Sequence, residues 1–199
     1  MAIRKVARMG HPVLRLKARE IPLKDIPSAF IQQLINDMID TMEEYGGVGL
    51  AAPQIHESLQ LAIIGLPAEE ATEEKEDKKK KSKKESKKES KKEAELKLTV
   101  FINPVIKVLD PDPQGCWEGC LSIPGMRGYV ERPCKIQVDY FNEKGEKKIR
   151  VAVDFEATVI QHELDHLQGI LYVERMKDMK KFTFNEESDK YTNEVNELI

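Results

Sequence analysis

Apolar residues at Phe30, Ile31, Leu34, Ile35, Met38, Ile39 and Met42 recur at spacings of three and four. That period puts them on one stripe of a helix over residues 28–45, with Ser28 as N-cap and Gly46-Gly47 as the stop. A loop follows from Gly46 to Gln54, and then an apolar β-type run from Leu61 to Leu66. Residues 98–109 read as a second β-like run, broken at Asn103-Pro104. Residues 135–142 and 147–153 read as the arms of a hairpin around Glu143-Lys144-Gly145. The helical period returns over about 154–168, with Asp154 as N-cap and Gly169 at the C-terminal stop. Residues 170–173 are expected as a last short strand, and residues 178–199 form a weakly patterned tail with no apolar face. Strands with two separated helices, and no βαβ alternation, predict one α+β domain.

Composition narrows the class. The chain has 199 residues, a formal net charge of −3 and 40% hydrophobic residues, which suits a single globular domain. No apolar run reaches the roughly 18 residues of a membrane span. The three cysteines, Cys116, Cys120 and Cys134, are an odd number and point to a reducing compartment rather than a disulfide scaffold, so a cytoplasmic location is expected. Before the first acid, Glu20, stand Arg4, Lys5, Arg8, Arg15, Lys17 and Arg19. Such a run has the charge of a transit peptide. It contains no serine, however, and Val6, Val13 and Leu14 are interleaved as in folded structure, so it is read as part of the fold.

Residues 68–97 have a different character. Twelve lysines against ten acids give a net of +2 there, leaving −5 on the rest, and Ser-Lys-Lys-Glu repeats three times from Ser82 to Glu93. Almost nothing apolar is available to build a core. The expected role is a solvated spacer; basic contacts to ribosomal RNA are the competing role.

The strongest chemical signal is His162-Glu163-Leu164-Asp165-His166. Histidines at i and i+4 share a helix face and can reach one metal ion. Glu163 lies about 100° round the helix from His162, where a carboxylate can take a proton from an activated water and return it to a leaving group. A site of this kind needs a third protein ligand. The extended zinc-protease pattern places a histidine where this chain has Tyr172. Glu174 is only eight residues past His166, with Gly169 and the expected strand between them. Cys120 is the best placed of the cysteines, preceded by a small residue and followed by an apolar run; its thiolate would suit Fe(II), Zn(II) or Ni(II). Cys116 and Cys134 read as packing residues, and His11 and His56 as loop histidines.

Three ordered motifs carry a family resemblance: Gly47-Val48-Gly49-Leu50-Ala51-Ala52-Pro53-Gln54, Glu118-Gly119-Cys120-Leu121-Ser122 and Gln161-His162-Glu163-Leu164-Asp165-His166. Together they look like peptide deformylase, and Gly10-His11-Pro12-Val13-Leu14-Arg15 is similar to the start of that fold. The resemblance spans roughly residues 4–67 and 98–176. It implies small, mostly antiparallel sheets packed around a central metal-binding helix. It implies removal of the formyl group from the N-terminal formyl-methionine of newly synthesised polypeptides, with one divalent ion, natively Fe(II), on Cys120, His162 and His166. Glu163 would be the acid/base, and Gln54 with the Leu121 N–H would donate to the oxyanion. Gly47 and Gly49 would meet the peptide through their backbone and Arg127 would help near it. Glu118 and Arg132 would be a supporting ion pair. From their place on the helix one turn before His162, Thr158 and Val159 are expected to line the pocket for an unbranched methionine side chain, with core packing as their other role. Nascent formylated peptides and, transiently, the ribosome are the implied partners; membrane and DNA are not. The competing classes are a protease of internal peptide bonds and a non-catalytic metal-binding module.

Overall fold

The computed structural model describes residues 2–67 and 96–198. Nearly all of the charged 68–97 segment, with the spacer and RNA-contact roles weighed for it, lies outside the described residues. Its last two positions, Leu96 and Lys97, are already strand: Pro67 pairs with Leu96 and Leu66 with Lys97. The segment therefore joins two neighbouring antiparallel strands.

Helix α1 spans Ala29–Glu44, capped by the Ser28 hydroxyl accepting from the Ile31 N–H. Ile31, Leu34, Ile35, Met38 and Met42 are buried, but Phe30 is exposed and Ile39 only half-buried. At about 100° per residue these two sit at opposite margins of the stripe, and the expected stripe is narrower by that much. Asp37 and Thr41 are buried instead. Asp37 accepts from Arg4 Nε at 3.0 Å, and Thr41 Oγ1 accepts from the Arg4 N–H at 2.9 Å. The first basic residue of the chain is thus fastened to α1.

The strands form one six-stranded antiparallel sheet, and with the helices it makes the expected α+β fold. Its path runs through β1 (Gly49–Ala51), β2 (Leu61–Pro67), β3 (Leu96–Cys120), β4 (Ile123–Phe141) and β5 (Lys147–Val153), with β6 (Phe182–Phe184) paired to β4. Strand β1 lies inside what the sequence presents as a loop. Its register with β2, Gly49↔Ile64 to Ala51↔Ala62, aligns apolar neighbours and, among the described residues, leaves its other edge without a strand. The break at Asn103-Pro104 is a register shift within β3, not its end. Asn103 takes φ 50° there, and its amide both accepts from the Ile21 N–H and donates to the Ile21 carbonyl. Strands β3 and β4 form a long hairpin whose tip is the turn from Cys120 to Ile123.

Helix α2 spans Asp154–Leu167 and runs through the centre: every residue from Glu156 to Leu167 is buried. It begins at Asp154 itself, with Val153 in the cap position, one residue earlier than the sequence suggests. One side packs Ala157, Val159, Ile160, Leu164 and Leu167 against Ala62, Ile64, Phe101, Ile136 and Val138 of the sheet. Its end is a Schellman motif, with Ile170 N–H donating to the Asp165 carbonyl and Gly169 N–H to that of His166. The expected strand at 170–173 is replaced by this cap and a 3-10 turn, Tyr172–Glu174. The tail is more ordered than its weak pattern suggests. β6 pairs with β4, and helix α3 follows over Asn185–Leu198, its sequence polar on most sides.

Gly169 has φ +73°, and a Cβ there would fall 2.7 Å from the backbone of Arg15. Gly169→Ala is expected to destabilise the fold by about 2 kcal/mol or more, from left-handed strain plus the clash. Urea melting of the two proteins measures the loss; equal midpoints would show that the helix end can relax.

Candidate metal centre

The hairpin tip of β3–β4 delivers Cys120 to the buried helix α2, which carries His162 and His166 one turn apart. Ligand atoms of these three residues all lie within 4.8 Å of one another. Cys120 Sγ is 3.3 Å from His166 Nε2. Cys116 and Cys134 are half-buried and outside this group. Tyr172 and Glu174, weighed as third ligands, are also outside it. Tyr172 stacks on the His162 ring at 5.9 Å between centroids, and Glu174 pairs with Arg15 and accepts from the Leu171 N–H.

Which imidazole nitrogen faces the group is decided from behind. His162 Nδ1 is 2.7 Å from Glu118 Oε2. Glu118 is gripped by Arg132 through two contacts, Nε to Oε1 at 2.6 Å and Nη2 to Oε2 at 3.0 Å. Arg132 donates onward to Asp165 Oδ2 at 2.8 Å, and Asp165 is clamped by Arg175 from the solvent side. With Nδ1 committed to a carboxylate, Nε2 of His162 is the free ligand atom. The Glu118–Arg132 pair is thus the inner part of a chain that continues to Asp165 and Arg175.

Their surroundings push the two imidazoles in opposite directions. At His162 burial opposes the charged ring, but hydrogen bonds to Cys120 and Glu118 outweigh it and raise the pKa well above the imidazole range. At His166 burial, reinforced by His162 and Arg132, pulls it well below. A cysteine sulfur with two imidazoles is a donor set that Fe(II), Zn(II) and Ni(II) all accept.

Glu163 faces a cavity of about 1100 Å³, whose wall also includes Gly47, Gly49, Gln54, Cys120, Leu121 and His162. Its Oε2 is buried with no hydrogen-bond partner. Burial raises its pKa to about 7; His162 and Arg132 pull against that rise and Glu118 adds to it. Gln54 follows β1 on a 3-10 turn, Ala52–Ile55, and is held by its carbonyl. Oε1 accepts from the Ala51 N–H at 2.8 Å, and Nε2 points to Ser122 Oγ at 3.3 Å and Cys120 Sγ at 3.5 Å. Gly49 is required by closeness, since a Cβ there would meet Glu163 Oε1 at 2.6 Å.

Three expected contributors stand elsewhere. Thr158 and Val159 are buried outside the cavity wall, Thr158 bonded to Gln114 Nε2 and Val159 packed in the core, because the helix face they share is turned to the sheet. Arg127 is also off the wall; Asn185 and Asp189 of α3 hold its guanidinium. Conversely, His11 and His56 are more than loop residues. They stack edge to face at 4.7 Å and both line the cavity. Ser122, Asp165 and Arg175 were not singled out by sequence, although Ser122 and Asp165 sit inside the motifs; only spatial pairing with Gln54 and Arg132 reveals them.

A half-buried cysteine with two buried imidazoles beside a partnerless carboxylate oxygen, opening on a peptide-sized cavity, fits a metal-dependent hydrolase. The family model for polypeptide deformylase matches residues 3–182, and the chain belongs to that family. As a member it removes the formyl group from the N-terminal formyl-methionine of newly synthesised polypeptides. A peptide deformylase of Leptospira biflexa is 39% identical over 189 residues, covering 95% of this chain and 96% of that protein. Many solved structures are similar, and two serve as examples. The Met-Ala-Ser-bound class I type b peptide deformylase from Acinetobacter baumannii has a TM-score of 0.72 at 32% identity, covering 88% of this chain and 99% of that one. Peptide deformylase from Thermotoga maritima has a TM-score of 0.72 at 29% identity, covering 89% and 100%.

Two predictions follow from this geometry. Gly49→Ala should displace the Glu163 carboxylate and cut turnover about 100-fold while metal content stays at one ion per chain; kinetics and metal analysis on one preparation check both. The second concerns pH. Because the folded pKa of Glu163 is raised, the folded protein keeps a proton that the unfolded chain releases. Stability is therefore lost as pH rises from about 4.3 through about 7 and is level above. Metal-free Glu163→Gln lacks this loss. It should exceed the metal-free parent by about 3 kcal/mol near pH 8, with the gap closing toward about pH 5. A gap independent of pH in urea melts would contradict burial as the cause.

Proposed function

We propose that Glu163 is the general acid/base of the deformylation, that Cys120, His162 and His166 hold the ion, and that Gln54 and the Leu121 N–H stabilise the oxyanion. The partnerless Glu163 Oε2 beside the three-residue group carries this reading. When bound, the divalent ion supplies Lewis acidity that brings a water to a pKa of about 7. Everything else falls to the chain. With a pKa near that of the water, Glu163 can take its proton and later hand a proton to the departing amine of methionine. The Gln54 amide is aimed toward Cys120 and Ser122, where a donor can meet the negative charge growing on the formyl oxygen; such a donor is worth about 3 kcal/mol of barrier.

The peptide is proposed to lie along β1. That strand has β2 on one side only, and Gly47, Val48 and Gly49 of this segment line the cavity on the other. A bound peptide can pair with such an edge as an added strand. Gly47 permits close approach, since a Cβ there would press on Leu121 at 3.1 Å.

Fe(II) is proposed as the native ion, on the family resemblance and on a donor set with one soft thiolate; oxygen would then inactivate the enzyme through the iron or Cys120. A transient encounter with the ribosome, where formylated chains emerge, and a cytoplasmic site of action belong to the same proposal. Among the described residues no helix is long and apolar enough to cross a membrane.

Formate release from a formyl-methionyl peptide, compared with cleavage of the unformylated peptide, tests the whole. The parent should release formate from the first and leave the second intact. Glu163→Gln should bind metal and lose at least about 1000-fold in turnover. Cys120→Ala should lose the metal. Cleavage of the unformylated peptide would point to a protease, and full metal occupancy in Cys120→Ala would remove it from the ligand set.

A further inference from the structure

We propose that Lys5 and Arg8 make the substrate cavity selective for formylated peptides with an acidic residue downstream of the formyl-methionine. The proposal rests on the deformylase reading of the site and adds a substrate preference to it.

The N-terminal segment is fixed against the metal centre at two points. Ala7 N–H donates to the Gln54 carbonyl at 2.7 Å, and Met9 N–H donates to the Ser122 carbonyl at 2.8 Å. Gln54 and Ser122 are the residues whose side chains meet beside Cys120. Val6 and Ala7 are buried, whereas Lys5 and Arg8 are exposed, and both line the cavity. Of the six cations before Glu20, Arg4 is paired with Asp37 and Arg15 with Glu174, whereas Lys5, Arg8, Lys17 and Arg19 make no ion pair among the described residues. Of these four, Lys5 and Arg8 line the cavity. Among the described residues the only carboxylate on the cavity wall is Glu163, which is buried. Arg127, the cation expected to meet the peptide, is neutralised by Asp189 and lies off the wall. What the mouth of the cavity offers to a passing chain is therefore positive.

A carboxylate brought within several ångströms of two solvent-facing cations gains a modest, salt-sensitive attraction, worth about three- to tenfold in affinity. The gain is the same before and during reaction, because these groups do not touch the formyl carbon. It therefore belongs in KM and not in kcat.

The test uses the metal-loaded full chain and C-terminally amidated formyl-methionyl peptides that differ only in carrying Glu, Gln or Lys at one downstream position. Formate release should show KM rising from Glu to Gln to Lys, about three- to tenfold across the series at low salt, with matched kcat. The spread should collapse in high salt. In the double variant Lys5→Glu/Arg8→Glu the order should invert, with far-ultraviolet circular dichroism as the check on folding; if the double variant fails that check, Arg8→Gln should compress the spread instead. Equal KM values across the parent series would overturn the proposal, as would an unchanged order in a folded variant; a basic patch that serves nucleic-acid phosphates predicts the first of these. Absence of formate from every peptide would instead strike the deformylase reading.

Discussion

The structure depends on burying a helix that is not apolar. Between Glu156 and Leu167, helix α2 places Glu156, Gln161, His162, Glu163, Asp165 and His166 out of water. Each such group costs several kcal/mol unless paired. The rest of the chain is arranged around meeting that cost. Arg150 takes Glu156; the Pro133 and Ala157 carbonyls take Gln161; Arg132 takes Asp165 and, through Glu118, His162. Apart from Ala157, which is in α2 itself, these partners come from β3, β4 and β5, so the long β3–β4 hairpin and its turn are positioned by the polar side of α2 as much as by its apolar side. Cys120 arrives at the histidines as a consequence, because it ends the strand that carries Glu118 two residues earlier.

The satisfied groups and the unsatisfied ones divide by task. Glu118, Arg132 and Asp165 have each other, and their contribution is a fixed ring orientation at His162 more than net stability, since a buried ion pair gains little over apolar packing. Among the described residues, the buried side-chain atoms left without partners are Glu163 Oε2, His166 Nδ1 and the Tyr172 hydroxyl. Two of these belong to the metal centre and the third is on the ring stacked against His162. A fold that pairs its other buried polar side chains and leaves these open concentrates its unmet polarity where a ligand or a proton is to be handled.

Much of this was legible in the sequence, and the boundary is physical. The i, i+4 histidines and the intervening glutamate follow from helix geometry alone, because local period fixes which side chains share a face. The stop at Gly169 was legible for the same reason. Cys120 is far in sequence and needed elimination and a motif. What stayed hidden depends on pairing across distance. Strand β1 has three residues and no pattern of its own until β2 supplies its register. The contact of Asp165 with Arg132 exists only once β4 lies along α2, and that with Arg175 only once the chain has turned back past Gly169. Thr158 and Val159 lie on the correct helix, but which face meets the cavity is set by how the sheet packs, and the sheet claims theirs. Phe30 and Ile39 mark the limit of the periodic argument itself, which gives the centre of a stripe better than its margins.

The same logic separates two uses of charge near the N-terminus. A run of six cations reads as a targeting signal when taken as composition. In the fold it breaks up: Arg4 and Arg15 are spent on α1 and on Glu174, and the residues between them are tied by backbone to Gln54 and Ser122. Lys17 and Arg19 make no ion pair among the described residues either but do not line the cavity; Lys5 and Arg8 do, exposed on either side of the buried Val6 and Ala7. Their placement on the cavity wall is thus a by-product of anchoring the segment to the metal centre. The cavity receives a positive rim without any residue of the reacting group being altered, which leaves specificity and chemistry on separate parts of the chain.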